Sequence, residues 1–387
     1  MTPEVVEAGP VRLRPFRPDD AEDLAAGRDD PVNLRFKPVG MPHPYTVADA
    51  HWWIAEGAPA AWRSGGAAYV IVDAGTDRLV GGAGLSQVAP GRGQAELGYW
   101  VAPRARRRGI ATATTRALAA AAFQAGLARL ELLIRAENPA SQRVALAAGF
   151  HLEGVRRAAG LDRDGDRYDL LAWVRLADDP PGPVPRLLPD LPDGRLTDAV
   201  VSLRRLAPAD AEVLHRLHTR PEVVATRVRP VPPTRADIDR RCAVAESDWL
   251  AGRAADFALC DAVTGTMVGG CALIHDEPAT GQAMIGYSLL PEARGRGLAT
   301  RAVRLVAGWA FGTVGLARLW AGTAPWNTAS QRVLTRAGFH REGLMRARLP
   351  APTPETPRPD TLLWSHLPTD PPPPSSSPPP PPPPPPG

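Results

Sequence analysis

The chain has 387 residues, of which 44% are hydrophobic, and this is enough for two ordinary domains that each bury a core. Its net charge is +4, with 45 basic residues spread among 41 acidic ones, so we expect no nucleic-acid partner. No apolar run has the length of a membrane span, the N-terminus lacks a secretory pattern, and the three cysteines lack metal-type spacing, so we expect a cytoplasmic protein without a membrane partner or a bound metal.

The first half of the chain alternates between strand and helix patterns. Strands are indicated by alternating or continuous apolar runs, and helices by apolar residues three and four positions apart. The predicted elements are, in order, a strand at 11–14, a helix start at 18–22, a helix around 47–63, strands at 67–73, 79–85 and 94–101, a long helix from residue 110, and a strand at 129–134.

A basic turn that contains glycine, from Arg106 to Thr112, follows the strand at 94–101 and opens the long helix. The N-terminus of a helix presents free backbone N–H groups and the positive end of a dipole, which suits a phosphate, and arginines add charge-assisted contacts. The pattern Arg-x-x-Gly-x-Ala is weak alone, because composition supplies roughly one accidental match. A basic helix start on a solvated surface is the alternative.

The second half of the chain repeats the first at an offset of about 190 residues. The basic turn returns as 294–300, and the segment 138–154 returns as 327–343. Gly109 lies 29 residues before Asn138, and Gly297 lies 30 before Asn327. Two unrelated motifs kept at one spacing twice indicate that a whole domain has been duplicated.

Composition suggests the domain boundaries. We expect a first domain at 1–177, a proline-rich and semi-rigid linker at 178–198, and a second domain at 199–368. The Pro/Ser tail at 369–387 is predicted to be disordered with polyproline II character, and docking to SH3-like partners is a lesser alternative.

At these residues the chain resembles the GCN5-related N-acetyltransferase (GNAT) superfamily twice, over roughly 11–177 and 200–367. The turn resembles the family's pyrophosphate loop, Gln/Arg-x-x-Gly-x-Gly/Ala. The segment 138–154 is similar to the branch of ribosomal-protein N-terminal alanine acetyltransferases, in which an Asn, a Ser three residues later, and a Gly-Phe followed by Glu-Gly recur. The resemblance implies a mixed α/β (α+β) fold, with two tandem domains that each have a twisted sheet of six or seven strands and about four helices.

The resemblance also implies acetyl-CoA as the acetyl donor, held between splayed central strands. Its pyrophosphate would lie on the N–H groups of the turn, and the pantetheine arm would pair with the preceding strand and contact an asparagine. The cofactor-binding residues implied in this way are Trp100, Val101, Arg106, Arg107, Arg108, Gly109, Ile110, Ala111, Thr112 and Asn138 in the first copy, and Leu289, Arg294, Gly295, Arg296, Gly297, Leu298, Ala299, Thr300 and Asn327 in the second.

Three residues are candidates for catalysis. Glu96, on the strand before the turn, could accept the proton of the incoming amine, and Ser141 (Ser330 in the second copy) would lie near the sulfur and stabilise the departing thiolate. The alternatives are an ordinary strand glutamate and ordinary first-turn helix serines. Tyr99 and Tyr287 are interpreted as packing residues.

The two copies are not equivalent. Glu96 is replaced by Met284, which cannot take a proton, and the predicted hairpin turn around 164–169 is replaced by a proline-rich stretch. We therefore expect the first copy to carry most of an N-acetyltransferase activity towards a primary amine, either a protein N-terminus or a small molecule. An acetyl-CoA-binding regulatory or scaffolding protein is the alternative. Two fused domains could also imitate a homodimer within one chain.

Overall fold

The computed structural model describes residues 2–36, 40–351, 353 and 355–371. The chain divides into two compact units, with the boundary between Arg186 and Leu187. Within the described residues each unit contains one eight-stranded sheet, slightly more than the six or seven strands expected.

The first unit combines eight strands with six helices in its described part. The strands are β1 (Val6–Ala8), β2 (Val11–Arg14), β3 (Ala67–Asp73), β4 (Leu79–Ala89), β5 (Gln94–Val101), β6 (Arg129–Arg135), β7 (His151–Leu161) and β8 (Arg167–Leu176), in the spatial order β1-β2-β3-β4-β5-β6-β8-β7. The helices are α1 (Ala21–Arg28), α2 (Pro31–Arg35), α3 (Val47–Trp52), α4 (Ala58–Arg63), α5 (Ile110–Gln124) and α6 (Pro139–Ala147). A π-helical turn at Trp53–Gly57 joins α3 to α4, so the helix predicted around 47–63 is present as one irregular run.

The second unit repeats this order. Its strands are β9 (Arg195–Thr197), β10 (Val201–Arg205), β11 (Ala254–Asp261), β12 (Met267–Glu277), β13 (Gln282–Leu289), β14 (Arg318–Thr323), β15 (His340–Met345) and β16 (Thr361–His366), in the order β15-β16-β14-β13-β12-β11-β10-β9. Its helices are α7 (Ala211–His218), α8 (Pro221–Val224), α9 (Arg235–Leu250), α10 (Leu298–Trp309) and α11 (Thr328–Arg336). The connection between β15 and β16 is longer than the β7–β8 hairpin and includes the proline-rich stretch.

Part of the segment predicted as a linker packs into the second unit. Leu188, Leu191 and Leu196 are buried in its core, and β9 pairs with β10. The leucines bury apolar area that a solvated linker would expose. The prolines around them dominate the composition, which is why the sequence indicates a linker over the whole of 178–198. The predicted tail lies outside the described residues beyond 371.

The feature that positions a site is a gap between two parallel strands in each sheet. Residues 94–96 of β5 pair with 129–131 of β6, and in the described structure this ladder ends there although both strands continue. Residues 282–284 of β13 and 318–320 of β14 do the same. Backbone N–H and C=O groups beyond the last pair need another partner. We call each opening the strand wedge.

Side chains of β5 alternate between the two faces of the sheet. Trp100 packs with Leu24 and Ala25 of α1, and so does the buried Ala102 that follows the strand. Glu96 points to that same face by its even spacing from Trp100, whereas Tyr99 points to the face that carries α5 and α6. The closed end of the wedge therefore presents Glu96 on one face, and its open end leads to the N-terminus of α5.

Candidate active site

Glu96 lies at the closed end of the first wedge, directly opposite Glu131. Arg156 of β7 donates hydrogen bonds to both carboxylate oxygens of Glu131. A cavity of about 300 Å³ opens here, and it is lined by Gln87, Gln94, Ala95, Glu96, Arg129, Glu131 and Arg156. Glu96 is half-buried at its edge.

The environment of Glu96 raises its pKa. Burial is the largest cause, the negative charge of Glu131 adds to it, and the positive charge of Arg156 opposes both. A carboxylate with a raised pKa is a stronger base, which is the property that a group accepting a proton from an ammonium requires. An ordinary exposed strand glutamate lacks these three influences.

The second wedge has uncharged residues at all three positions that carry Glu96, Glu131 and Arg156 in the first wedge. Met284 and Trp320 stand where Glu96 and Glu131 stand, and Met345 occupies the position of Arg156 on the last hairpin. A neighbouring ion pair is kept in both copies. Arg129 donates to both oxygens of Glu153 at 2.9 and 2.7 Å, and Arg318 donates to both oxygens of Glu342 at 2.9 and 2.5 Å. At this end of the wedge the copies therefore differ in the candidate base and in the two charged residues beside it, while the neighbouring ion pair is kept.

The basic turn has the backbone of an anion-binding helix start in both copies. Gly109 has φ +75° and precedes α5, and Gly297 has φ +75° and precedes α10. Among the described residues neither helix start has a side-chain cap, so the first N–H groups of each helix are free to bind an anion. A Cβ at either glycine would meet nothing within 4 Å, so the requirement for glycine comes from the positive φ alone.

The predicted arginines divide into two that hold the end of the wedge strand and others that lie farther along the turn. Arg106 Nε donates to the carbonyl of Val101 at 3.2 Å, and its Nη2 binds Asp30. Arg294 repeats this, with Nε to the Leu289 carbonyl at 3.1 Å and Nη2 to Glu222 at 3.0 Å. These two arginines connect the end of the wedge strand to the start of a neighbouring short helix, α2 or α8, and sequence reasoning missed this role.

The remaining basic side chains of the turn are more available to a ligand. Arg108 lies 3.7 Å from Asp73, and Arg296 lies 3.3 Å from Asp261. Arg107 is exposed and has no ion-pair or hydrogen-bond partner among the described residues. Arg107 is therefore the basic side chain of the first turn best placed to reach an incoming phosphate.

Asn138 and Asn327 are helix caps. The Oδ1 atom of Asn138 accepts a hydrogen bond from the N–H of Ser141 at 3.2 Å, and Asn327 does the same for Ser330 at 3.1 Å. Asparagine is one of the residues favoured at this position, because its side-chain oxygen satisfies a free N–H group of the first helical turn. Their contact with a cofactor stays a prediction, as does the catalytic role of the serines, whose side chains are half-buried at the starts of α6 and α11.

A tyrosine on the wedge strand approaches each serine. Tyr287 Oη lies 2.8 Å from Ser330 Oγ and donates to the Ser330 carbonyl at 3.2 Å. In the first copy the Tyr99 hydroxyl is buried beside Ser141, and none of the described residues gives it a hydrogen bond of good geometry. Burial raises the pKa of Tyr99 to about 12, and Ser141 partly offsets this. The sequence carried one signal for this contact: in both copies a tyrosine stands ten residues before the glycine of the basic turn.

The described part of the chain contains no cluster of His, Cys, Asp or Glu side chains able to hold a metal ion. Its three cysteines are buried as free thiols. None of the helices in the described ranges is long and apolar enough to cross a membrane.

Comparisons with known proteins agree with this architecture. The family described as "Acetyltransferase (GNAT) domain" matches residues 11–151 and 201–340, which together make up more than half of the chain. The chain is 30% identical over 148 residues to the uncharacterized N-acetyltransferase p20 of Bacillus licheniformis, covering 38% of this chain and 82% of that protein.

Two further relatives match over shorter regions. The probable N-acetyltransferase YjcK of Bacillus subtilis is 50% identical over 64 residues, which cover 16% of this chain and only 35% of YjcK. The ribosomal-protein-serine acetyltransferase of Escherichia coli is 36% identical over 100 residues, covering 25% of this chain and 56% of that protein.

The duplicated fold and the repeated family match define the class of this protein as a tandem-domain acetyltransferase. The chain belongs to the GNAT family, as the sequence resemblance predicted. We refer to its two units as the first and second domains.

Proposed function

We propose that the first domain transfers an acetyl group from acetyl-CoA to a primary amine, with Glu96 as the base. The observation that supports this most is the placement of Glu96 beside Glu131 at the closed end of a wedge whose open end leads to a free helix N-terminus. The free N–H groups at residues 110–112 fit a pyrophosphate, and the unpaired edge of β5 near Trp100 and Val101 fits an amide-containing arm.

When bound, acetyl-CoA supplies the acetyl group as an activated thioester. The chain's own residues then act on the amine and on the leaving sulfur. Glu96 takes a proton from the ammonium form of the amine and so frees the nitrogen lone pair, which forms the new C–N bond as the C–S bond breaks; the second N–H proton, released as the amide forms, passes to the leaving thiolate or to water. The hydroxyl of Ser141 donates a hydrogen bond to the sulfur that leaves with the electron pair, and the backbone of β5 polarises the carbonyl.

The second domain is proposed to bind acetyl-CoA and to transfer the acetyl group poorly. It keeps the glycine turn, Asn327 and Ser330, and it lacks a base because Met284 and Trp320 replace the paired glutamates. A methionine sulfur takes no proton from an amine near neutral pH. The regulatory alternative therefore applies to this domain and not to the whole chain.

The acceptor is proposed to be a protein N-terminus or a small-molecule amine. The similarity of the 138–154 segment to ribosomal-protein acetyltransferases, and the match to the Escherichia coli ribosomal-protein-serine acetyltransferase, support the first class. A turnover screen of the full chain with N-terminal peptides and small amines separates the two classes.

The test of the proposed base is the variant Glu96→Gln in the full chain. We expect turnover to fall by about 100-fold, because general base catalysis typically contributes this much, while calorimetry shows unchanged acetyl-CoA binding. Glu7→Gln is the matched control, since Glu7 is an exposed strand glutamate of the same domain. Turnover by Glu96→Gln equal to that of the control would rule out Glu96 as the base.

A further inference from the structure

The contact between a wedge-strand tyrosine and the first-turn serine of the following helix occurs in both domains. In the second domain the two hydroxyl oxygens, Tyr287 Oη and Ser330 Oγ, lie 2.8 Å apart. The tyrosine comes from β13, beyond the last residue pair with β14, and the serine comes from the first turn of α11. The serine's backbone is held separately, because its N–H donates to the cap residue Asn327.

The first domain places the same two residues side by side without the hydrogen bond seen in the second domain. Tyr99 reaches Ser141 from β5, but its buried hydroxyl lacks a hydrogen bond of good geometry to any described residue. A buried hydroxyl without a partner is unfavourable, and a phenylalanine would fill the same apolar space without that penalty. The neighbour able to satisfy the hydroxyl is Ser141, whose backbone the cap of Asn138 already fixes.

We propose that Tyr99 positions the hydroxyl of Ser141 for the departing sulfur. The Tyr99 O–H donates to Ser141 Oγ, and this leaves the hydrogen of Ser141 free to point into the wedge. Tyr99 stays protonated throughout and exchanges no proton. It is a positioning residue that acts through Ser141, and the inference rests on the proposed role of Ser141 in the first domain.

The geometry of the wedge explains why the tyrosine is suited to this task. Tyr99 lies beyond the last residue pair of β5 with β6, so its side chain is on the stretch that lines the opening. Residues of β5 on the opposite face, such as Trp100, pack against α1 and cannot reach Ser141. A hydroxyl fixed by a rigid strand restricts the serine more than solvent would, and preorganised donors are the effective ones in a dry site.

The experiment is a double-mutant cycle in the full chain with Tyr99→Phe, Ser141→Ala and the double variant. We expect Ser141→Ala to lower kcat by about 100-fold and Tyr99→Phe by about 5- to 10-fold, with KM for acetyl-CoA unchanged in both. The double variant should be no slower than Ser141→Ala, since the tyrosine acts only through the serine.

The matched control is Tyr69→Phe. Tyr69 is a buried tyrosine on β3 whose hydroxyl donates to the Thr2 carbonyl at 3.4 Å, away from the wedge. This variant should keep full kcat and shows what loss of a buried hydroxyl does to Tm alone.

The outcomes separate this inference from the proposed function. Full turnover by Ser141→Ala would overturn the role of the serine and the tyrosine together. A slow Ser141→Ala combined with full turnover by Tyr99→Phe, or with rate losses that multiply in the double variant, would overturn the positioning role and leave Glu96 and Ser141 in place.

Discussion

Glu96 and Glu131 are paired across β5 and β6, the two parallel strands that separate immediately beyond them. Two carboxylates in this relationship cannot both ionise as easily as either would alone. Arg156 donates hydrogen bonds to Glu131, and burial together with the Glu131 charge raises the pKa of Glu96. The pair thus divides into a carboxylate bound by an arginine and a more basic carboxylate facing the cavity.

The pH dependence of turnover should report this division. Turnover requires ionised Glu96, so it falls as pH drops through the raised pKa of that group. The variant Glu131→Gln removes the negative charge that raises the pKa of Glu96. The acidic limb of the pH profile of turnover, where activity falls as Glu96 is protonated, should then move to lower pH. In Arg156→Gln the charge that lowers the pKa is removed, and the limb should move to higher pH. Shifts in the same direction for both variants would contradict the assignment.

Replacing Glu96 should lower the activity of the protein but raise its free energy of unfolding. The folded-state pKa of Glu96 is raised above its unfolded value, so ionised Glu96 destabilises the fold above that pH range. Glu96→Gln should therefore raise the free energy of unfolding at pH 7. The gain should disappear as pH falls below about 4, where glutamate is protonated in the unfolded chain as well. Urea unfolding at the two pH values measures it, and a loss of stability at pH 7 would be inconsistent with this account.

The backbone of the basic turn offers a second stability test. Arg107 has φ +61°, and the second domain places Gly295, with φ +76°, at that position. A non-glycine residue in this region costs about 1–2 kcal/mol, which the greater chain entropy of glycine partly offsets. Arg107→Gly should therefore stabilise the first domain by up to about 1 kcal/mol while raising KM for acetyl-CoA, and Gly295→Ala should destabilise the second. A lower KM after Arg107→Gly would argue against a phosphate contact.

The ion pairs that join each wedge strand to a neighbouring short helix, Arg106–Asp30 and Arg294–Glu222, should contribute differently to stability in the two domains. Asp30 holds Arg106 and caps α2, and its side chain is 12% exposed, whereas Glu222 holds Arg294 with its side chain 46% exposed. Asp30→Ala should cost about 1–2 kcal/mol for the lost cap and bond, and Glu222→Ala should cost less because its carboxylate is exposed to solvent. Chemical denaturation of both variants measures this, and equal losses would contradict the effect of burial.

The stability that Asp30 contributes to the first domain should also depend on pH. Burial disfavours ionised Asp30, but hydrogen bonds from Arg106 and from the N–H of Asn33 outweigh it, so the pKa of Asp30 is lowered. A lowered folded-state pKa gives stability that is present above the unfolded value and is lost as pH falls through the folded value. The difference between wild type and Asp30→Ala should narrow in that acidic range, and a difference independent of pH would exclude the linkage.

The sequence predicted the duplicated fold and the wedge strands because each signal is local or repeated. Asn138 is recognisable as a cap from its neighbours, and Glu96 stands out because the second copy has Met284. Arg156 was not predicted to join the site, because it lies 60 residues along the chain from Glu96 and reaches it only through the crossed order of β7 and β8. The contact of Tyr99 with Ser141 likewise depends on packing between a strand and a helix, which no local pattern encodes.

The measurement that tests the central claim most directly is turnover of the full-length variant Glu96→Met, alongside the number of acetyl-CoA molecules it binds. This substitution gives the first domain the residue that the second domain already has. We predict that calorimetry still finds two molecules bound per chain and that turnover falls by about 100-fold. Turnover within twofold of wild type would contradict the claim that the first domain, through Glu96, carries the reaction.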